Sequence, residues 1–168
     1  MDVNMRAEIW RPTLGWAKGI QGNLVYLAAP FFNDEQRGVC AELELWCQTE
    51  GRPMYAPRLA CLLPQPSTPQ QRRACFEADI SMAGACDLML ARVDDFDSGT
   101  MWEVGYGYAL GKPIVMYSTV PGRGLNLMLA QSVAGFVSGL DDVRTFLRHE
   151  AMPGFDWSVV KDWKGEVE

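Results

Sequence analysis

From Asn23 onward the apolar positions fall into two alternating kinds of segment. Short unbroken apolar runs come first: NLVYLAAP near residue 25, PMYAP near 55, CDLMLARV from Cys86 to Val93, PIVMYST from Pro113 and AGFVS from Ala134. Between them lie longer stretches whose apolar residues recur at helical spacing, such as Asp34 to Gln48 with Cys40, Leu43 and Cys47, and about Pro69 to Ala85 with Ala78, Met82 and Ala85. Runs without polar alternation predict strands covered on both faces, and a period near 3.6 predicts helices. Three further helices are predicted at Ser98 to Leu110, about Asn126 to Ser132 and about Leu140 to Glu150.

Punctuation supports these boundaries. Pro69 follows Thr68 in the first-turn position that proline tolerates, Ser98 is placed to cap the third helix, and Gly111 suits its C-terminus. The three prolines of CLLPQPSTP rule out a helix or central strand there, so residues 61–69 are predicted to form a loop. Strands alternating with helices through short connections imply parallel pairing by right-handed crossovers, hence a three-layer α/β sandwich with about five strands. Ligands of such sheets bind beyond the carboxyl ends of the strands. The loops to inspect are Ala28 to Asp34, Tyr55 to Pro66, Val93 to Gly99 and Ser118 to Asn126.

Residues 1–22 show no period. They are predicted to be an N-terminal extension whose Trp10 and Trp16 pack on the body or on a neighbouring subunit, with 23–168 as a single domain. A chain of 168 residues is long enough for one core and short for two.

Charge narrows the partners. A formal net charge of −6, with lysines and arginines scattered, gives no basic field for a nucleic acid polymer and leaves a small neutral substrate open. The N-terminus has no apolar signal-peptide core, and no run of 18 apolar residues occurs, so a soluble, cytoplasmic protein without membrane contact is expected. The five cysteines lack C-x-x-C spacing and lie mostly in apolar stretches. They are expected to be buried free thiols rather than disulfides or metal ligands, which fits a reducing compartment.

Few residues remain to carry chemistry. GYGYALG imitates a dinucleotide fingerprint but follows a helix start rather than a strand and has the wrong last spacing, so close helix packing is the better explanation of its glycines. His149 is the single histidine and lies far from every strand-end loop, which argues against a histidine-based triad or zinc site. Carboxylates are left: Asp94, Asp95 and Asp97 after the third strand, and Glu103 in the first or second turn of the following helix. A carboxylate near a helix N-terminus is expected to be stabilised as the anion, which suits a nucleophile or base, yet a solvated loop with a capping acid fits the spacing equally well. Asp79, on the preceding helix, could reach the same pocket, although pattern alone favours a surface position. An ionised carboxylate facing a protonated one is the pair that glycosyl transfer requires.

Several ordered fragments together resemble one family. VYLAAPFF, EADISMAGACDLMLARV, DSGTMWEVGYGYALGKPIV and LNLML are similar to segments of the nucleoside 2-deoxyribosyltransferases, over about Asn23 to Val137. The resemblance implies a flavodoxin-like fold, a homo-oligomer with composite active sites, a role in nucleoside salvage, and no metal or organic cofactor. It also implies a double displacement in which an enzyme glutamate attacks the anomeric carbon, releases the base, and passes the deoxyribosyl group to another base.

On that resemblance Glu103, in W-E-V-G-Y-G-Y-A, matches the nucleophile. Tyr26 matches the tyrosine that orients it and favours deoxyribose over ribose, Asp79 the acid that protonates the departing base, and Asp97 the carboxylate that holds the sugar hydroxyls. Phe31 and Phe32 match aromatics set against the base, a contact worth roughly 1–3 kcal/mol, with lid or core packing as their alternative. Asn126 and Met128 match a segment that reaches an adjoining subunit's pocket.

Departures qualify the match. The loop APFFND is aromatic and acidic where related nucleotide hydrolases carry a small, basic, glycine-rich one, which favours nucleosides over nucleotides. The WKGEVE tail ends on Glu168 rather than an aromatic. An N-glycosidase using the same residues, and a noncatalytic nucleotide-sensing module, stay open as alternatives.

Overall fold

The computed structural model describes residues 23–152, 154 and 155. Residues 1–22, with Trp10 and Trp16, and the WKGEVE tail lie outside the described residues. Eleven elements follow one another: β1 (Val25–Ala28), α1 (Asp34–Thr49), β2 (Met54–Tyr55), α2 (Pro57–Ala60), α3 (Pro69–Ala85), β3 (Leu88–Arg92), α4 (Ser98–Ala109), β4 (Ile114–Ser118), α5 (Leu127–Ser132), β5 (Gly135–Ser138) and α6 (Leu140–Glu150).

All strand pairs are parallel, in the order β2-β1-β3-β4-β5. This is the flavodoxin-like arrangement, and its direction reverses between β1 and β3. Successive residues of a strand face opposite ways, and both faces are covered. Val25 and Leu27 of β1 join Leu43 of α1 and Leu147 of α6 in one core, while Tyr26 and Ala28 join Met82 of α3 and Val104 of α4 in the other. Each fully buried large apolar side chain contributes on the order of 2 kcal/mol, so two-sided burial explains the unbroken apolar runs.

Differences from expectation fall at element ends. PMYAP contributes only a two-residue edge strand, because Pro57 opens a helical turn, α2, instead of extending the strand. Asp97, not Ser98, caps α4, its carboxylate accepting from the Thr100 backbone N–H at 2.8 Å. Both longer N-terminal caps are capping boxes, Asn33 with Gln36 on α1 and Thr68 with Gln71 on α3.

The glycines of GYGYALG divide by cause. A Cβ on Gly107 would lie 2.9 Å from the Met89 Cε, so a larger residue there would make the Met89 side chain shift, and Gly111 has φ +69° beyond the helix end. Gly105 has open space where its Cβ would be, so close packing does not explain that position. His149 is exposed in the last turn of α6. No helix among the described residues is long and apolar enough to cross a membrane.

Candidate active site

The site is built on the side of the sheet that β1 gives to Tyr26. Tyr26 stands beside Tyr55 in the parallel register of β1 and β2, and the two buried rings stack with centroids 5.4 Å apart. A buried phenol needs a hydrogen-bond partner, and each of these finds a carboxylate on a different helix. The Tyr26 hydroxyl donates to Glu103 Oε1 at 2.5 Å, and the Tyr55 hydroxyl donates to Asp79 Oδ1 at 2.7 Å. Two strands and two helices thus hold two acids side by side, 103 and 79 facing one cavity.

That cavity, of about 420 Å³, is lined by Tyr26, Asp79, Asp97 and Glu103, by Phe31 and Phe32 from the loop after β1, and by Phe76, Trp102 and Tyr106 from α3 and α4. Among the described residues no lysine or arginine lines it. Burial pushes the Glu103 carboxyl up to about 8 against the opposing pull of the Tyr26 hydrogen bond, and the charges of Asp79 and Asp97 push the same way. Burial also raises Asp79, opposed by hydrogen bonds from Tyr55, Cys61 and Cys75.

This corrects the expectation that the helix N-terminus holds Glu103 as an anion. Glu103 is the sixth residue of α4, which begins at Ser98, and the helix dipole acts mainly within the first turn. Desolvation and like charge therefore decide its proton affinity.

Asp97 lines the cavity while capping α4, with Oδ2 accepting from both the backbone N–H and the hydroxyl of Thr100, at 2.8 and 3.0 Å. Phe31 and Phe32 stack on each other, centroids 5.4 Å apart, and Phe32 is 70% exposed. Asn126 and Met128 are not brought to this cavity: Asn126 caps α5, accepting from the Met128 backbone N–H at 2.8 Å, and Met128 is 73% exposed. The loop from Ser118 to Asn126 lines no part of the cavity either.

Sequence reasoning missed Tyr55, an aromatic wall and two cysteines. Tyr55 was legible only as part of a short strand, though a tyrosine in register with Tyr26 and facing the same core needs an acceptor. Trp102 and Tyr106, one helical turn apart, stack 5.3 Å apart at 11°, and Phe76 leans on Trp102 at 5.6 Å, giving the cavity an aromatic wall. Cys61 and Cys75 were expected to be buried like Cys40, Cys47 and Cys86, but both are half-exposed and point their thiols at Asp79.

Asp94 and Asp95 acquire structural roles. Asp94 is buried and accepts from the Arg92 Nε at 2.7 Å, the Thr119 backbone N–H and hydroxyl, and the Ser118 hydroxyl. Asp95 accepts from Gln36 Nε2 at 2.8 Å, tying the loop after β3 to the capping box of α1.

A sequence profile described as nucleoside 2-deoxyribosyltransferase matches residues 25–134, more than half of the chain. The chain belongs to the nucleoside 2-deoxyribosyltransferase family. Among solved structures, the 2-deoxyribosyltransferase of Bacillus psychrosaccharolyticus is 26% identical, with TM-score 0.61 over 83% of this chain and 91% of that one. A conserved protein of Enterococcus faecalis V583 is 22% identical, with TM-score 0.67 over 77% and 99% of the two chains, and shares the fold. The CMP N-glycosidase BcmB of Clostridium botulinum shares it too, at 20% identity and TM-score 0.54 over 74% and 97%. No curated protein sequence is similar enough to count as a match. The cavity residues Tyr26, Asp79, Asp97, Glu103 and Tyr106 all fall inside the span that matches the family.

Proposed function

We propose that the protein is a nucleoside 2-deoxyribosyltransferase, exchanging purine or pyrimidine bases on 2′-deoxyribonucleosides through a covalent deoxyribosyl–Glu103 intermediate. The observation that carries this reading is the pair of tyrosine-held carboxyls, Tyr26–Glu103 and Tyr55–Asp79, in one aromatic cavity. Glu103 forms a bond to C1′ as the C1′–N bond breaks, and the bonding electrons leave with the base. Asp79 protonates a ring nitrogen of that base, which leaves poorly as an anion. A second base then reverses both steps.

The pair must hold one proton, and substrate decides where. Without substrate, burial raises both carboxyls, opposed by three donors at Asp79 and by one at Glu103. A ring nitrogen acceptor facing Asp79 favours the proton there, and the positive charge developing at C1′ favours the carboxylate on Glu103. Asp97 holds sugar hydroxyls, and Phe31 and Phe32 stack on the base. Nucleosides are preferred to nucleotides, since Arg37, beside the loop after β1, is already paired with Asp34 at 2.5 Å. Asn126 and Met128 serve the site of a neighbouring copy, which makes the enzyme a homo-oligomer.

Incubating the protein with a deoxynucleoside and a different free base is the test. Exchanged nucleoside supports the reading, whereas free sugar and base alone overturn transfer in favour of N-glycoside hydrolysis. Retention of all turnover in Glu103→Ala would overturn both.

A further inference from the structure

Two of the five cysteines meet at the carboxyl that the proposed chemistry uses as its acid. Cys61 follows α2, and Cys75 lies one turn before Asp79 on α3, so helical spacing puts Cys75 and Asp79 on one face. The two sulfurs and the Asp79 carboxylate lie within 4.8 Å of one another. Cys61 Sγ is 3.7 Å from Asp79 Oδ1, and Cys75 Sγ is 3.9 Å from Oδ2. In a tetrahedral zinc site with metal–sulfur bonds of ~2.3 Å and metal–oxygen bonds of ~2.1 Å, ligand atoms stand about 3.6 Å apart. The two sulfur–oxygen distances are therefore close to the spacing that such an ion imposes.

We propose that Cys61, Cys75 and Asp79 form a binding site for a thiophilic divalent cation, with zinc the fitting physiological ion. Two thiolates and one carboxylate select zinc or cadmium over magnesium or calcium, which prefer an all-oxygen shell. Both thiols release their protons to solvent on binding, so the three-ligand set carries −3 against the +2 of the ion. Of the three ligands among the described residues Asp79 alone lines the cavity, and a water would complete the coordination shell. The other three cysteines are buried in the core and offer no such cluster among the described residues. The 13 residues between Cys61 and Cys75 hide the site from motif spacing.

A consequence follows for the reaction, and it rests on the reading of Asp79 as the acid. A carboxylate bound to zinc cannot carry the proton that the leaving base needs, so metal loading stops base release. The ion would act as an inhibitor of this site rather than as its cofactor.

Cadmium titration of the reduced full chain tests the site directly. One equivalent per chain is expected to produce a thiolate-to-metal charge-transfer band and to protect two thiols from a thiol reagent. Cys61→Ser and Cys75→Ser are each expected to weaken binding by at least about tenfold, the loss that even outer-shell changes cause. A wild-type protein that shows no band at equimolar cadmium overturns the site whether or not the variants fold, and a full-strength band in both folded variants does so as well. Turnover is read separately, with zinc expected to abolish nucleoside cleavage and a chelator to restore it. If cadmium and zinc bind while cleavage continues, the inhibitory consequence fails and the site stands. If the metal-free protein cleaves no nucleoside, the proposed function fails, and the cadmium band still decides the site.

Discussion

Asp94 and Glu103 stand nine residues apart, both beyond the carboxyl end of β3 and both largely withdrawn from water, yet their surroundings drive them in opposite directions. Burial alone would raise either one. Around Asp94 the Ser118 and Thr119 hydroxyls and the Arg92 guanidinium more than offset that cost, holding the carboxyl at about 2. Around Glu103 a single hydroxyl donates, two further carboxyls face the same cavity, and the carboxyl is pushed up to about 8. A buried acid with a full set of donors and a cation is part of the scaffold. One with a missing counter-charge is held in an unfavourable state, and that is where chemistry with a positively charged transition state gains most.

The sharpest way to break the comparison is to neutralise each acid in turn. Glu103→Gln keeps the volume and removes the nucleophile, so turnover of a deoxynucleoside is expected to fall ~10³-fold or more. Its fold should survive, as judged by an unchanged circular dichroism spectrum. Asp94→Asn should do the reverse. It leaves the buried Arg92 with only the exposed Glu35 as counter-charge, and removing one partner of a buried pair costs roughly 3 kcal/mol. Urea denaturation should register that loss, while activity per folded molecule stays within a few-fold of the parent. A catalytic collapse in Asp94→Asn without lost stability would mean the two acids do not divide as described.

Apolar run length and capping residues made the fold legible, because both are local signals and the sheet is covered on both faces. The five strands and all the longer helices lie where the pattern placed them; only the single turn of α2 was not foreseen, since Pro57 reads equally as a strand end. The site was legible differently. Spacing left Glu103 undecided and favoured a surface position for Asp79, and it was the family resemblance, not periodicity, that singled out Tyr26, Asp79, Asp97 and Glu103, which the fold then brings to one cavity. What stayed hidden depends on register between strands or on side-chain direction across a loop. Tyr55 becomes significant only once it lies beside Tyr26, and the convergence of Cys61 and Cys75 on Asp79 has no signature in a linear pattern.

A smaller effect separates the two acids by pH. The ordinary value for Glu103 is 4.5 and its folded value is about 8. Between these limits the folded protein keeps a proton that the unfolded chain gives up, so Glu103 lowers stability progressively as pH rises through this window. A tenfold change in proton affinity is worth ~1.4 kcal/mol, and partial contact with the cavity solvent reduces the full difference to about 2 kcal/mol. Glu103→Gln should accordingly be more stable than the parent at pH 8 and no more stable near pH 4.5 in urea melts. Asp94 contributes the opposite slope: its stabilisation is present above its ordinary value of 3.8 and is lost as pH falls toward about 2. An equal stability gain for Glu103→Gln at both pH values would show that it comes from packing and not from an uncompensated charge.

The smallest expected effect concerns the one donor that Glu103 does have. Tyr26→Phe removes a hydroxyl and leaves the buried ring stacked on Tyr55, so the fold and the cavity wall should persist. Its hydrogen bond draws the Glu103 carboxyl down, against burial. Without it Glu103 holds its proton more firmly, and fewer molecules place the charge on Glu103 and the proton on Asp79. A hydrogen bond to a charged group is worth about 1.5 kcal/mol at the lower end, or roughly tenfold in kcat/KM near neutral pH. The alkaline limb of the pH profile should shift upward at the same time, because the last proton of the pair leaves at higher pH. A purely structural tyrosine would lower kcat/KM without moving that limb, so the profile, more than the rate, decides whether Tyr26 tunes Glu103 or only fills the space beneath it.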